Sequence, residues 1–338
     1  MKNIFEKIQE LEDIPGYSKH EQLVQGVINA IDEKLLVRGD MLPSVNNMIQ
    51  EIGFARETIM KGYRELKDRG IIEAKNRLGF FVANEDTEQT LKVALMMFGF
   101  DTFQEVFYRN FREKLGANIH LDVFFHHNNI EVFETILNHI KGKYGMYVVA
   151  PIPHPKTKEL LQSIPTAKLL MFDRYEPIGD DINHITQEFE ASSYRIFTEL
   201  ADRLRGFDAF FFYYQPHSMI PIEILRAFKK FLQDFNIKGG VRKSYEPISV
   251  EKGKAYFIID NIDLYQILKD CKLKNLKLGV DVGILSHNDE PMKEIIADGI
   301  TTYGTDFALM GTKSAQFVLS REKIQETMPM VLIRRNSL

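Results

Sequence analysis

Apolar residues near the amino terminus recur at helical spacing and predict a first helix over 18–36. The residues that form this series are Leu23, Val27, Ile28, Ile31 and Leu35. Ser18 and Glu21 have the spacing of a capping box, in which a hydroxyl and a carboxylate satisfy the first amides of a helix. The segment Arg38-Gly39-Asp40 marks the end of this helix.

Two further helices and a hairpin follow. Ser44, directly after Pro43, can cap a short helix through about residue 51, and Gly53 breaks it. A third helix is predicted over 55–68, with Gly70 closing it. Residues 71–74 and 79–82 have the composition of short strands, and the basic tip 75–78 lies between them. Three helices and a basic hairpin are typical of a winged helix-turn-helix, whose third helix enters the DNA major groove.

The pattern changes after a polar stretch over 84–90, which we interpret as a linker. Strand-length apolar runs then alternate with amphipathic stretches of helical length. Strands are predicted over 93–98, 119–125, 147–150, 169–172, 209–213, 256–259 and 278–285, and helices over 102–115, 130–141 and 188–205. Such alternation is typical of an α/β fold with parallel sheets flanked by helices, and the length suits two lobes. The expected domains are therefore 1–83 and 91–338.

The charge distribution supports a DNA-facing surface near the amino terminus. The whole chain of 338 residues carries a formal net charge of -4, which does not by itself indicate nucleic-acid binding. Residues 53–82, however, hold 7 basic and 4 acidic residues. A local positive field on an otherwise acidic protein is what contact with phosphates requires.

Several classes of protein are disfavoured by the sequence. Cys271 is the only cysteine, so no internal disulfide can form, and a reducing cytoplasm is expected. The first ten residues lack the apolar run of a signal peptide, and no stretch of about 18 apolar residues predicts a membrane span. Motifs of P-loop enzymes, zinc peptidases and serine hydrolases are missing, so we expect neither catalysis nor a cofactor or metal.

The segment 20–82 resembles the amino-terminal domain of the GntR family of bacterial regulators. The residues that carry the resemblance are Gly39-Asp40, Leu42-Pro43-Ser44, Phe54-Ala55-Arg56-Glu57-Thr58-Ile59, Tyr63, Leu66, Gly70-Ile71-Ile72 and Gly79-Phe80-Phe81-Val82. The resemblance implies DNA contacts from Ser44, Asn46, Asn47, Arg56, Thr58, Lys75 and Arg77. This chain departs from the family where Asn46 and Asn47 replace a frequent Arg, and where Arg77 replaces a frequent Gly.

The remaining chain is similar to the sensor domain of LacI-type regulators, which has a two-lobed fold like that of periplasmic binding proteins. The matching landmarks are Asp173-Arg174 after a buried strand, Asp260 after the strand 257–259, the segment 278–289, and Gly299-Ile300-Thr301-Thr302-Tyr303. The resemblance implies a homodimer that responds to a small molecule, typically a sugar, bound between the lobes.

Candidate effector contacts lie where the predicted strands end, because ligands of open parallel sheets bind at the carboxyl ends of the strands. They are Phe100, Asp101, His126, Asp173, Arg174, Tyr214, His217, Asp260, Asn288 and Asp289. Carboxylates, amides and aromatic rings suit sugar hydroxyls and sugar faces. For Asp260 the alternative is a helix cap, and for Arg174 an ion pair between lobes. Sugar-binding relatives often carry an Arg near the position of Ile224, where this chain has none.

These features together predict a sequence-specific transcriptional regulator whose partners are double-stranded operator DNA and a sugar-like effector. The expected activity is that of a dimeric repressor that acts in the cytoplasm. The alternative is a DNA-binding protein whose large carboxy-terminal domain serves only for dimerisation or for docking a partner.

Overall fold

The computed structural model describes residues 3–12, 18–85, 87, 91–116, 119–179, 181–215 and 220–338. The chain divides into two compact units. One unit comprises Met1–Leu95, Gly116–Val123 and Asn138–Tyr147, and the other comprises Met96–Leu115, Phe124–Leu137 and Val148–Leu338. The domain borders expected from the sequence, with a linker at 84–90, stay a prediction.

The amino-terminal part folds as the predicted helices and hairpin. Its elements are α1 (Ile4–Gln9), α2 (Lys19–Asp32), α3 (Val45–Ile52), α4 (Arg56–Asp68), β1 (Ile72–Lys75) and β2 (Gly79–Val82), with β1 and β2 antiparallel. The capping box of Ser18 and Glu21 is present at the start of α2. Helix α2 ends at Asp32, short of the predicted residue 36, because the amides of Leu35 and Leu36 both bond back to the carbonyl of Ala30 in a tight turn.

One apolar core holds these elements together. Leu23 and Val27 of α2 pack with Ile59 and Tyr63 of α4, all fully buried. Helix α1, which the sequence pattern did not predict, adds Ile4 and Ile8 to the same core. It is anchored at its polar side by Lys7, whose amine lies 2.9 Å from Glu10 and 2.7 Å from Glu33.

The rest of the chain alternates strands and helices as predicted. Its helices are α5 (Thr102–Leu115), α6 (Ile130–Ile140), α7 (Pro155–Gln162), α8 (Phe189–Glu199), α9 (Ala201–Leu204), α10 (Ile222–Asp234), α11 (Asn261–Leu273), α12 (Pro291–Ile295) and α13 (Phe307–Ser320). Its strands are β3 (Lys92–Met97), β4 (His120–Phe125), β5 (Met146–Val149), β6 (Leu169–Asp173), β7 (Asn183–Gln187), β8 (Ala209–Tyr213), β9 (Gly239–Arg242), β10 (Lys254–Ile258), β11 (Val282–His287), β12 (Thr301–Gly304), β13 (Gln325–Met328) and β14 (Val331–Ile333).

These strands form two six-stranded sheets, each of which defines a lobe. The order is β13-β7-β6-β5-β3-β4 in the first sheet and β14-β12-β11-β10-β8-β9 in the second. In the second sheet β8 to β12 are parallel and β14 is antiparallel to β12. Parallel strands bring their carboxyl ends to one edge of a sheet, so the loops that follow them share that edge. The predicted α/β class with two parallel-sheet lobes is confirmed.

The chain crosses between the two sheets three times. It leaves the first sheet after β7 through α8 and α9, returns after β12 through α13, and passes back after β13 through Pro329 and Met330. Side chains tie the crossings together: the Thr305 hydroxyl donates to Gln187 at 2.8 Å, and the Ser193 and Tyr303 hydroxyls lie 3.1 Å apart.

Two predicted elements differ from those observed. The predicted helix over 188–205 is interrupted at Leu200, which separates α8 from α9. The predicted strand over 278–285 starts only at Val282, because residues 277–281 form a turn. In that turn the amide of Lys277 donates to the Asp281 carboxylate at 2.9 Å, and the amide of Asp281 donates to the Lys277 carbonyl at 2.7 Å.

The described helices include none that is long and apolar enough to cross a membrane.

Two adjacent glycines of β9 offer a matched test of the edge of the second sheet. A Cβ atom at Gly239 would lie 1.9 Å from the carbonyl oxygen of Phe210, whereas one at Gly240 would meet nothing within 4 Å. We expect Gly239→Ala to lower the free energy of unfolding by about 1–3 kcal/mol, because the backbone must shift to admit the methyl group. Gly240→Ala should cost nothing, and equal losses in denaturant titrations of the two variants would contradict the packing described for β9.

Candidate DNA interface and ligand cleft

The turn before α3 is held by two hydrogen bonds. The Ser44 hydroxyl caps α3 by accepting from the amide of Asn47 at 3.2 Å. The Tyr63 hydroxyl of α4 donates to the carbonyl of Pro43 at 2.7 Å, and this bond holds the segment Leu42-Pro43-Ser44 against α4. Because the Ser44 and Asn47 groups take part in this turn, their contacts with DNA would be made by a preformed surface.

The start of α4 presents an exposed arginine that is already oriented. Ala55 occupies the cap position and supplies no side-chain acceptor for the first amides of the helix. Arg56, the first residue of α4, donates through Nη1 to the Asn46 Oδ1 atom at 3.0 Å, and both residues are exposed. This bond leaves the other edge of the guanidinium available, and arginine reads guanine with two parallel donors. Thr58, two residues further along α4, is half-buried.

The hairpin presents its basic residues at an exposed tip. The Lys75 amine lies 4.6 Å from the centroid of the Phe81 ring and 3.3 Å from the carboxylate of Glu73. Arg77 has φ +63°, in the left-handed region that favours glycine. The hairpin thus keeps the backbone conformation for which related chains often use Gly, while offering a guanidinium in its place.

At the carboxyl edge of the first sheet, the predicted residues have different roles. The Phe100 ring is 52% exposed and has edge contacts with Tyr108 and Phe125. Asp101 is exposed just before α5. His126, by contrast, is fully buried: its Nε2 atom lies 3.1 Å from the carbonyl of Ala150, and its Nδ1 atom accepts from the amide of Asn128. Both ring nitrogens of His126 are therefore used inside the lobe, and its prediction as an effector contact is not supported.

Asp173 and Arg174 follow β6 but face different surroundings. The Asp173 carboxylate is buried and accepts from the Gln187 amide, which itself accepts from Thr305. Burial raises the pKa of this carboxyl group, and the charge of Arg174 only partly offsets that effect. Asp173 thus belongs to a hydrogen-bond network with Gln187 and Thr305, which links the crossing after β7 to the crossing after β12. The Arg174 guanidinium lies 5.4 Å from the centre of the Phe98 ring, at the edge of the first sheet.

In the second lobe, two of the predicted carboxylates are committed to structural contacts. Asp260 caps α11: its Oδ1 atom accepts from the amides of Ile262 and Asp263 at 2.7 and 3.1 Å. Asp289 binds both terminal nitrogens of Arg335 at 2.6 and 3.0 Å. Burial opposes the ionisation of Asp289, but the bonds from Arg335 and Thr302 outweigh it and lower the pKa of its carboxyl group. Asp289 is therefore bound within the lobe, and for Asp260 the alternative of a helix cap is realised.

Two further predicted effector contacts, Tyr214 and His217, are aromatic. Tyr214 is half-buried and packs against the core through the Phe212 ring, with centroids 5.8 Å apart. His217 lies outside the described residues.

Polar atoms without partners gather where β11 ends. The buried Ser286 Oγ, His287 Nε2 and Asn288 Oδ1 atoms have no hydrogen-bond partner within the described ranges. The same holds for Oδ1 of Asn261, the first residue of α11. Buried polar atoms are rarely left unsatisfied, since each costs about 1–3 kcal/mol. These consecutive unsatisfied groups therefore need an explanation, and they lie at the carboxyl end of a parallel strand, where ligands of open α/β sheets bind.

A buried lysine holds this strand end in position. Lys293 of α12 is only 1% exposed, and its amine donates to the carbonyls of His287 and Asn288 at 2.8 and 2.9 Å. Its charge is balanced by the carboxylate of Glu290 at 3.3 Å, which also accepts from the Asn261 amide at 2.9 Å. Asn288, at φ +58°, has its own amide bonded to the carbonyl of Tyr303. The backbone of the loop is thus fixed, while the Oδ1 atom of Asn288 has no hydrogen-bond partner among the described residues.

The imidazole of His287 is kept neutral by its surroundings. It is 4% exposed, and burial lowers its pKa to about 3, with further lowering by the charges of Lys293 and Arg174.

Sequence reasoning missed several of these residues. Ser286, His287, Asn261, Glu290 and Lys293 were not among the candidates. One signal in the sequence could have indicated Ser286 and His287, because three polar residues, Ser286-His287-Asn288, follow directly on a strongly apolar strand. Lys293 could not be found in this way, because its role depends on burial. Among the described residues, no group of three or more His, Cys, Asp or Glu side chains could hold a metal ion.

The amino-terminal part matches a known family. The sequence profile of the bacterial regulatory proteins of the gntR family matches residues 19–82, which are the segment from α2 to β2. The HTH-type transcriptional regulator Rv1152 of Mycobacterium tuberculosis is 33% identical over 71 residues, which are 21% of this chain and 59% of that protein. The chain thus spans less than two thirds of the length of this relative.

The larger part of the chain is similar in fold to solved structures of transcriptional regulators. A LacI family transcriptional regulator from Lactobacillus casei with bound glucose has a TM-score of 0.61 and 14% identity, over 74% of this chain and 100% of that chain. The Lac repressor dimer bound to operator and the anti-inducer ONPF has a TM-score of 0.60 and 15% identity, over 74% of this chain and 94% of that one. At such low identity these similarities establish the fold alone.

The buried neutral histidines make stability depend on pH. In the unfolded chain the imidazoles of His287 and His126 bind protons as the pH falls below their usual pKa of 6.5. In the folded chain the same two groups bind protons only near pH 3 and pH 4, respectively. The stability that they contribute is therefore present above pH 6.5 and is lost as the pH falls, by about 1.4 kcal/mol per pH unit for each group. We expect the free energy of unfolding of His287→Gln to fall less steeply between pH 6.5 and 4 than that of the wild type.

The exposed His139 offers a matched control, since His139→Gln removes an imidazole without changing the buried site. Denaturant titrations at a series of pH values would measure both slopes. If His287→Gln and His139→Gln gave the same slope as the wild type, the neutral buried state of His287 would be refuted.

Proposed function

We propose that this chain, whose residues 19–82 form a gntR-family helix-turn-helix domain, is a transcriptional regulator that binds operator DNA under the control of a small molecule. The observation that carries the proposal is the exposed Arg56–Asn46 pair at the start of α4, inside the segment that matches the family. A third helix of this kind reads base edges with its first residues. We infer that α4 enters the major groove with Arg56 foremost.

The remaining contacts with DNA divide by role. Arg56 and Asn46 would read bases, while Ser44, Asn47 and Thr58 would bind phosphates beside them, which positions the protein without reading sequence. Lys75 and Arg77 at the hairpin tip would contact the phosphates or the minor groove to one side. A phosphate next to the start of α4 is also favoured because the amides there have no side-chain cap.

A ligand bound between the lobes would satisfy the polar atoms that the protein leaves unpartnered. Hydroxyl groups of a sugar could donate to Asn288 and Asn261 and exchange hydrogen bonds with Ser286 and His287. The exposed Phe100 ring at the edge of the other sheet could cover an apolar sugar face. The structurally similar Lactobacillus casei regulator holds glucose. We therefore propose a sugar or a sugar derivative as the effector.

The three crossings provide the mechanism of control. A ligand that contacts both lobes could change the angle between them, because three crossings connect the two sheets among the described strands. We propose that the chain acts as a homodimeric repressor in the cytoplasm, with half-sites about 34 Å apart, so that small changes in domain angle alter operator affinity. By linkage, the ligand changes DNA affinity by the same factor as DNA changes ligand affinity.

Selection of bound duplexes from a random pool tests the DNA-binding half of the proposal and supplies an operator. A thermal-unfolding screen of the full chain against sugars and sugar derivatives then tests the sensing half. A ligand at 100 times its Kd stabilises by about 2.7 kcal/mol. Hits are expected to change operator affinity. An operator-binding chain whose affinity responds to no ligand would favour a large domain that only dimerises or docks a partner.

Arg56→Ala is expected to weaken binding to the selected operator by about 10- to 100-fold, because a bidentate contact with a base contributes about 1–3 kcal/mol. Asn46→Ala should have a smaller effect in the same direction, since it removes the bond that orients Arg56. Fluorescence anisotropy at one fixed salt concentration measures both affinities.

Arg69→Ala is the matched control, because this arginine lies just past the last residue of α4 and pairs with Glu65. It also removes one positive charge, but it should keep most of the operator affinity. Equal losses for Arg56→Ala and Arg69→Ala would mean that charge alone, rather than the start of α4, determines binding.

A further inference from the structure

A separate cavity of about 360 Å³ lies at the carboxyl ends of β8 and β9. It is lined by Tyr213, Arg242, Lys243, Ser244, Glu246 and Ser249. The sequence pattern gave no strand at β9 and no candidate in the segment 242–249. The chemistry of this cavity differs from that of the strand end at β11, because it combines two cationic side chains with hydroxyl groups.

Arg242 is held in one orientation on the sheet. It pairs in register with Tyr213, and its guanidinium lies 3.7 Å from the centre of the Phe211 ring. Gly240, the register partner of Phe211, has no side chain to cover that ring. Stacking on an aromatic ring restricts a guanidinium while leaving its edge free to donate hydrogen bonds. Its carboxylate neighbour is Glu251, at 3.4 Å and half exposed, and an exposed pair of this kind contributes little.

The other cation of the cavity is more readily available. Lys243 is exposed, and no described carboxylate lies within ion-pair distance of its amine. Ser244 and Ser249 add hydroxyl groups to the same wall. The Tyr213 hydroxyl belongs to a residue that is only 4% exposed, and it interacts with Arg242 and Ser249 of the same wall. A ligand oxygen at this wall would therefore meet cationic and hydroxyl donors together.

The one carboxylate in the lining limits what the ligand can be. Glu246 is exposed in the same loop, so a ligand that is anionic over its whole surface would be repelled by it. A ligand with an anionic group at one end and hydroxyl groups at the other avoids this repulsion, because a carboxylate accepts hydrogen bonds from hydroxyls. Phosphoryl oxygens suit the fork of an arginine and the point charge of a lysine.

We infer that this cavity binds the phosphoryl group of a phosphorylated polyol, with Arg242 and Lys243 on the phosphoryl oxygens and Glu246 accepting from a hydroxyl. The inference rests on the proposed function, because this phosphorylated compound would be a second effector of the regulator, beside the ligand proposed at the end of β11. Binding here involves only ion pairs and hydrogen bonds, and no covalent step.

Thermal unfolding and calorimetric titration of the full chain test this inference with three probes at matched ionic strength: potassium phosphate, glucose 6-phosphate and glucose. We expect the two phosphoryl compounds to stabilise the wild type more than chloride does. Lys243→Ala should weaken the binding of both by tenfold or more. Lys238→Ala removes an exposed lysine beside the other end of β9 and should bind as the wild type does.

The outcomes show whether the phosphoryl group belongs to a small organic molecule or to the phosphate ion. Tighter binding of glucose 6-phosphate than of phosphate would identify a phosphorylated small molecule, while equal affinities would identify the phosphate ion itself. The inference is overturned if neither compound stabilises the wild type more than chloride, or if Lys243→Ala responds as the wild type does. It is also overturned if Lys238→Ala loses as much affinity as Lys243→Ala, because binding would then follow net charge.

Measurements of operator binding distinguish a failure of this inference from a failure of the proposed function. Without ligand, Lys243→Ala should bind the selected operator as tightly as the wild type. A wild-type chain that binds operator but no phosphoryl compound would refute the inference and leave the regulator intact. A chain that selects no duplex at all would refute the proposed function, whatever the cavity binds.

Discussion

The three crossings between the sheets are the constraint on which the larger part of the molecule depends. Because β13 and β14 return to separate sheets after α13, neither lobe can be completed without the other. The network of Thr305, Gln187 and Asp173 joins two of these crossings through side chains. Burial of an ionisable carboxyl group at this point is costly unless it is hydrogen-bonded, so the network favours one arrangement of the strands around it. A ligand that alters this arrangement acts on both lobes at once.

Much of the amino-terminal part could be predicted because its signals are local. Ser18 with Glu21, Ser44 and Gly53 mark helix ends through contacts within a few residues, and the structure has each end close to the predicted position. The matching family was identifiable for the same reason. Helix α1 was missed because it is short and is stabilised by packing of Ile4 and Ile8 on distant residues, which no local pattern reveals.

The larger part could be predicted only as far as the strand ends. Topology correctly indicates which loops share an edge, but it does not indicate which side chains remain free there. Asp289 is bound by Arg335, 46 positions away, and His126 by Ala150, 24 positions away. Such partners appear only when the chain is folded. Strand β9 was missed for a different reason, since Gly239-Gly240-Val241-Arg242 is short and its two glycines resemble a loop.

The fixed backbone at the end of β11 has a consequence for how the ligand preference of the proposed regulator could change during evolution. Lys293 holds the carbonyls of His287 and Asn288, and Tyr303 holds the Asn288 amide, so the frame of the loop does not depend on the Asn288 side chain. If Asn288 contacts the effector as proposed, a substitution at this one side chain, by Asp or Gly for example, would alter which hydroxyl pattern is accepted while the fold is kept. Stability and specificity would then depend on different residues, which would allow new effectors to be acquired in single mutational steps.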